Sequence, residues 1–261
     1  MASNSSEKSL IREKVWSQLR NVALPDSRFH HDYSSFIADF LGSIDATTLL
    51  TSLPCYQYAS IIFIAPDNCL RGLRYRALLD GKKVLVTTYG IRRGFFLLDP
   101  VAIDRSKYEI CSLLDGMELY GRHESLSEIG TLLSKLEMKI PLMVTGTGAI
   151  SSRNGLRFGK GHGFFDLEWG MLYSLGFVNE ETKTVALVHE CQVLDEELVG
   201  AEWDTGCDFV VTEKRIIEVE EARKPSCGIL WESLEVDMLE DIEPLRQLRG
   251  LETRYRNKAP E

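Results

Sequence analysis

Apolar positions recur at two spacings along this chain. In SEKSLIREKVWSQLR, preceded by Ser5, the residues Ile11, Val15 and Leu19 repeat at fours with Trp16 beside them, which predicts a helix with one buried stripe, closed by Pro25. A second helical stretch is expected from about Tyr33 to Leu50, broken at Gly42. YASIIFIAP is a continuous apolar run ending at Pro66 and predicts a buried strand. LRGLRYRALLDGKKVLVTTYG predicts a helix stopped by Gly81 and then a strand, RRGFFLLDP a further short strand, and ESLSEIGTLLSKLEMKIPLMVTGTGAIS another helix and strand. FFDLEWGMLYSLGF reads as a helix stopped at Gly176, and TKTVALVHECQV and CDFVVTEKRIIEV supply three more strands.

Helices alternating with continuously apolar strands imply an α/β fold, a mostly parallel sheet flanked by helices. The expectation is one domain over residues 1–261, with a helical tail from about 235. That tail, LEDIEPLRQLRGLETRYRNK, reads as a solvated amphipathic helix, with a docking helix or oligomer arm as the alternatives.

Composition narrows the class. With 44% hydrophobic and 26% charged residues the chain is ordinary globular protein. A formal charge of −9 argues against a broad nucleic-acid-binding surface, which needs clustered Lys and Arg. No apolar run approaches the ~20 residues of a membrane span, and MASNSSEKSL lacks signal-peptide character, so a cytoplasmic protein without membrane contact is expected. Six scattered cysteines, with no C-x-x-C pair, fit reduced thiols.

The stretch RFGKGHGFFDLEWG, residues 157 to 170, carries the chemistry. Gly159, Gly161 and Gly163 let backbone N–H groups approach an anion, and the following helix adds its positive end. Lys160 and a protonated His162 would add donors. Arg157 before the glycines and Asp166 after the aromatic pair are what a magnesium nucleotide requires: a cation on phosphate and a carboxylate for Mg²⁺. The spacing matches neither the dinucleotide fingerprint nor the Walker pattern, and a plain flexible turn is the competing reading.

The run R-x-G-x-G-x-G-[FY]-[FY]-D resembles the signature of the 5-formyltetrahydrofolate cyclo-ligases, also called methenyltetrahydrofolate synthetases. Lys8-Ser9-Leu10-Ile11-Arg12 resembles that family's K-x-x-L-R element, Gln192 in VHECQVLD its Gln after the next strand, and Asp204 in AEWD its later Asp. CDFVVT resembles the following strand, so the likeness runs from Lys8 to about Val219. IREKVW, RFGKGHGFFDLEWGML and VHECQVLDEEL are closer still to the divergent methenyltetrahydrofolate synthetase domain-containing branch.

The resemblance implies a fold related to the ribose-5-phosphate isomerase and CoA-transferase group, and a site for ATP and Mg²⁺. It places Lys8 and Arg12 on phosphates, Arg157 to Phe165 around the nucleotide with Phe164 and Phe165 as its aromatic pair, Lys160 and His162 at the transferring phosphoryl group, and Asp166 and Asp204 on Mg²⁺. It implies the conversion of 5-formyltetrahydrofolate to 5,10-methenyltetrahydrofolate through phosphorylation of the formyl oxygen, by a monomer or homodimer. Two departures stand out. APDNCLRGLRYRALL offers Asp67 and Asn68 where the family carries a folate-gripping Glu, and Phe164-Phe165 lacks the hydroxyls of the usual Tyr pair. These leave two alternatives open: an ATP-dependent ligase or cyclodehydratase of the same fold on another formyl, carboxyl or amide compound, a thiamine-related one included, and a nucleotide-binding regulator without turnover. Animal members of the branch carry an added RNA-recognition domain; no RNP-like sequence occurs here, and no nucleic-acid partner is expected. His189, beside Cys191, reads as a satisfied core histidine; Arg92-Arg93 and His30-His31 read as surface residues.

Overall fold

In the computed structural model, residues 2–135, 139–159, 163–235 and 237–256 are described, with the backbone alone for residues 2–9 and 254–256. The helices are α1 (Ala2–Leu19), α2 (Ser43–Thr51), α3 (Pro54–Tyr58), α4 (Arg71–Leu79), α5 (Tyr108–Cys111), α6 (Leu114–Tyr120), α7 (Leu126–Lys135), α8 (Phe164–Ser174), α9 (Met238–Asp241) and α10 (Glu243–Arg256). The strands are β1 (Ile61–Ile64), β2 (Lys83–Thr87), β3 (Phe95–Leu98), β4 (Arg122–Glu124), β5 (Leu142–Thr145), β6 (Ala149–Ser151), β7 (Arg157–Phe158), β8 (Lys183–Leu187), β9 (Val193–Leu194), β10 (Phe209–Val211) and β11 (Ile216–Glu218).

Eight strands form the main sheet in the order β11-β10-β8-β5-β1-β2-β3-β4. The central pairings, from β10 through β2, are parallel, and the edges turn antiparallel. This is the mostly parallel α/β sheet the alternation predicts. Every residue of β1 is buried, as a strand covered by helices on both faces requires. A small second sheet, β7-β6-β9, carries Arg157 and Phe158 at one edge.

The chain runs from β1 to β2 on one side and then returns to add β5, β8 and β10 on the other. The strand order therefore reverses between β1 and β5, and a crevice at their carboxyl ends is where such a sheet binds ligands. The Asp67 carboxylate spans that crevice by accepting the Gly146 N–H at 2.8 Å. A Cβ on Gly146 would sit 2.6 Å from Cys69 Sγ and 2.8 Å from an Ile37 methyl, so only glycine lets the two strand ends close up.

Two expectations fail. Residues 33–42 are irregular rather than helical: Phe36, Ala38 and Phe40 are buried at alternate positions, the period of extended chain, and Gly42 at φ 93° starts α2 only after them. The tail is docked rather than solvated. Ile242, Leu245 and Leu248 are buried in the main core, and the Gln247 side chain accepts the Leu126 N–H at 3.0 Å. The six cysteines are free thiols. No helix among the described residues is long and apolar enough to cross a membrane.

Candidate active site

A cavity of about 530 Å³ occupies the crevice. Its floor is the ends of β1, β2 and β5, and its rim is the α1 side chain Arg12, the loop after β7, the first turns of α8 and the loop bearing Asp204. Of the residues expected to hold ATP and Mg²⁺, Arg12, Arg157, Gly159, Gly163, Phe164, Phe165, Asp166 and Asp204 all line it. Lys160, Gly161 and His162 lie outside the described residues. Lys8 is on α1 one turn before Arg12, and its side chain likewise falls outside them.

Arg157 and Asp166 form the centre of this arrangement. Both side chains are almost wholly buried, and Arg157 Nη2 donates to Asp166 Oδ1 at 2.7 Å. The guanidinium lies 4.4 Å from the centre of the Phe165 ring, which fixes its plane. Burial opposes the charge on Arg157, but Asp166 together with Cys207, Asp204 and Glu168 outweighs it and keeps the guanidinium charged. Burial also pushes the Asp166 carboxyl up, against the pull of Arg157 and of the Thr205 N–H, which donates to the same oxygen at 2.8 Å. Arg157 Nε has no hydrogen-bond partner among the described residues. Arg157 lines the cavity, and a charged guanidinium in the wall suits an anionic ligand.

Thr205 follows Asp204 directly, so its N–H bond to Asp166 ties the two aspartate loops together. Asp204 Oδ2 accepts the Ala201 N–H at 2.8 Å, which stiffens its own turn. No cluster of three or more His, Cys, Asp or Glu suited to a metal occurs among the described residues. Two carboxylates on a cavity that also carries guanidinium groups fit Mg²⁺, which is ordinarily held by one or two protein carboxylates plus substrate oxygens and water. Arg12 Nε donates to the Gly159 carbonyl at 3.3 Å and its guanidinium lies 5.3 Å from the Phe158 ring centre, so α1 is fastened to the glycine loop. Gly163 at φ 62° begins α8 with no side-chain cap, leaving the positive end of an 11-residue helix on the cavity.

Other residues join the site beyond those placed in the nucleotide motif. Arg28 is held by two hydrogen bonds from its guanidinium to Asp26, at 3.2 and 3.0 Å, and Asn68 donates to Asp26 at 2.7 Å. Burial would push Asp26 up, yet the bonds from Arg28 and Asn68 outweigh it and hold the carboxyl far below the usual range. Glu168 lies on α8 at the cavity wall with only 2% of its surface exposed. Gly228, Ile229, Leu230, Ser233, Leu234, Glu235 and Met238, on the approach to the tail, also line the cavity. Glu168 was legible in principle, since a lone acid inside LEWGML sits where a helix is otherwise apolar all round.

Three residues singled out in the sequence do other work. Gln192 is buried; its amide donates to the Thr147 carbonyl at 2.6 Å and its oxygen accepts the His189 N–H at 2.8 Å, bracing the loop after β5. His189 Nδ1 accepts the Cys191 N–H and its Nε2 lies 3.4 Å from Glu213, the satisfied histidine expected. Arg93 pairs with Glu118 at the surface.

The 5-formyltetrahydrofolate cyclo-ligase family model matches residues 4–213. A methenyltetrahydrofolate synthase domain-containing protein of Homo sapiens is 32% identical over 246 residues, covering 93% of this chain and 61% of the relative. The protein of that name from Danio rerio is 31% identical over 248 residues, with coverage of 93% and 61%. This chain thus spans about three-fifths of the length of those relatives. Among solved structures, the NMR structure of Aquifex aeolicus 5,10-methenyltetrahydrofolate synthetase aligns with a TM-score of 0.49 at 19% identity, over 83% of this chain and 95% of that one. The extent of the family match settles the membership: this chain belongs to the 5-formyltetrahydrofolate cyclo-ligase family.

Proposed function

We propose that the protein is an ATP- and Mg²⁺-dependent cyclo-ligase that converts 5-formyltetrahydrofolate to 5,10-methenyltetrahydrofolate. Family membership supports the reaction class, and the observation that carries the nucleotide half is the buried Arg157–Asp166 pair in the cavity wall, with its backbone tie to the Asp204 loop. Arg157, Arg12 and the open N-terminus of α8 would receive the phosphates, and the family resemblance assigns Lys8, Lys160 and His162 to the same task. Asp166 and Asp204 would hold Mg²⁺, which supplies neutralisation of phosphate charge.

The γ-phosphoryl group passes to the formyl oxygen, the neighbouring nitrogen attacks the formyl carbon, and the carbon–oxygen bond breaks to release phosphate. One ATP becomes ADP and one phosphate for each methenyl product. The protein's part is alignment of the two reactants and stabilisation of charge. Phosphate release by the full chain with ATP and Mg²⁺ is expected to depend on added 5-formyltetrahydrofolate. Release at the same rate without the folate would contradict the reading.

A second reading, the same ATP-dependent chemistry on another formyl, carboxyl or amide compound, is favoured by one observation. The cavity-lining residues Gly228, Ile229, Leu230, Ser233, Leu234, Glu235 and Met238 lie beyond residue 213, where the family match ends. Phosphate release that ignores 5-formyltetrahydrofolate but responds to such a compound would support it.

A further inference from the structure

The groups given to the nucleotide come from α1, the loop after β7, α8 and the Asp204 loop. A second set on the same cavity comes from elsewhere in the chain: Arg28 and Phe36 from the segment before α2, Asn68 after β1 and Tyr89 after β2. Arg28 is the cation of this set, and its surroundings hold it in one orientation. Asp26 and His30 exchange both backbone hydrogen bonds, at 2.9 and 2.8 Å, closing a tight turn in which His30 takes φ 55°, a left-handed conformation that non-glycine residues seldom adopt. Arg28 stands in the middle of that turn. The Asp26 carboxylate is almost wholly buried and accepts the N–H of Arg28 at 2.7 Å, that of Phe29 at 3.3 Å and the Asn68 amide at 2.7 Å, so it cannot swing away.

Aromatic rings support the guanidinium from the side. Phe29 stacks on Phe36 and on Tyr89, with ring centres 6.0 and 5.6 Å apart, and the Tyr89 hydroxyl donates to the Ser35 carbonyl. The Arg28 guanidinium lies 5.3 Å from the centre of the Phe29 ring and 6.0 Å from that of Tyr89.

A guanidinium presents its N–H groups as two forks, one along its side and one at its tip. Nε and Nη2 of Arg28 bond Asp26 at 3.2 and 3.0 Å and so use the side fork. Those are the only hydrogen bonds the guanidinium makes among the described residues, which leaves the tip fork of Nη1 and Nη2 for the cavity that Arg28 lines. The bonds to Asp26, with Asp115 and Tyr89 adding to them, push the Arg28 pKa up against burial, so the group is always charged. Two parallel N–H groups match the two oxygens of a carboxylate. A single guanidinium already balanced by Asp26 suits a singly charged carboxylate better than a doubly charged phosphate.

Resting on the proposed reaction, we propose that Arg28 is a specificity-determining residue whose tip fork binds a carboxylate of the second substrate, so that the site selects compounds carrying one away from the reacting formyl, carboxyl or amide group. The Arg28 side chain is 40% exposed, so water serves the fork when no ligand does, and the preference expected is about tenfold to a hundredfold.

The test is calorimetric titration of the full chain, saturated with Mg²⁺ and a non-hydrolysable ATP analogue. The probes are 5-formyltetrahydrofolate, whose glutamate carries carboxylates, and 5-formyltetrahydropterin, which has none. Arg28→Met is expected to weaken binding of the folate about tenfold to a hundredfold and to leave the pterin within about twofold. Arg28→Lys keeps a cation beside Asp26 but loses the fork, and its affinity for the folate is expected to fall between the two. Unchanged affinity for the ATP analogue is expected in both variants and reports that each is folded. Equal losses for folate and pterin, no loss for the folate in either variant, or a loss for the ATP analogue as large as that for the folate overturns the inference.

Failure of 5-formyltetrahydrofolate to bind, with the ATP analogue bound, would overturn the folate reading, and 4-aminobenzoylglutamate then decides the inference. Binding of that dicarboxylate by wild type and about tenfold more weakly by Arg28→Met upholds the carboxylate site. Equal affinity in the two proteins, or no binding, overturns it.

Discussion

Asp166→Ala is expected to lower phosphate release and methenyl formation by about 10³-fold or more, because it removes a proposed Mg²⁺ ligand and the anchor of the phosphate-facing guanidinium together. It is also expected to cost about 3–5 kcal/mol of stability, since Arg157 is left as a buried cation without its counter-ion. Asp166→Asn separates the two effects. The amide oxygen still accepts from Arg157 and from the Thr205 N–H, so the fold is retained while the metal loses a charged ligand. Urea unfolding reads the stability, and the Mg²⁺ concentration giving half-maximal rate reads the metal. An Asn variant with wild-type rate and Mg²⁺ dependence would contradict the role given to Asp166.

Arg74→Met is the second large effect, and it acts through the floor of the cavity. Arg74 on α4 is fully buried and donates to the carbonyls of Ala65 at 2.6 Å, Asp67 at 3.1 Å and Ser112 at 2.9 Å. Burial lowers its pKa to about 10, which leaves it a cation at neutral pH. Methionine fills much of the volume but orphans the Ala65 and Ser112 carbonyls, each costing about 1–3 kcal/mol, and leaves the Asp67 carbonyl with the Leu70 N–H alone. Losing the buried charge offsets part of that, so a net loss of about 3 kcal/mol is expected in urea unfolding. The Asp67 backbone then loses a tether at the strand end where it bridges to Gly146, so a raised KM for the second substrate is expected. Wild-type stability and KM in this variant would mean that the clamp does not shape the floor.

The sheet was legible because its strands are continuous apolar runs bounded by Gly and Pro. IIFI and KVLVT read as buried strands at once, and α8 was marked by Gly176, which takes φ 74° just past the helix end. The segment before α2 misled because Tyr33, Phe36 and Phe40 fit helical spacing while Phe36, Ala38 and Phe40 fit extended spacing. Burial shows that the second period holds. The tail misled differently: its charge suggested solvent, but Leu245 and Leu248 lie on one face and meet the core.

Within the site, the residues adjacent in sequence were legible from their own pattern, Arg12 and Asp204 only through the family resemblance, and the remaining residues adjacent only in space were not. Arg157, the described glycines and Asp166 belong to one loop and helix start, so their type and spacing pointed to phosphate and metal. The Asp26–Arg28–Asn68 cluster and the Asp67 bond to Gly146 join segments 40 or more residues apart, and no local pattern encodes them. Glu168 stands two residues from Asp166, where the helix turns it to a different side, so it reads as one more charged position until its burial is known.

The central claim is that this chain couples ATP to ring closure of 5-formyltetrahydrofolate, and the most direct measurement is methenyl absorbance when the full chain is mixed with ATP, Mg²⁺ and that folate. The account predicts a rise in absorbance that requires all three components and is lost in Asp166→Ala. Bound Mg-ATP with no absorbance rise would contradict it.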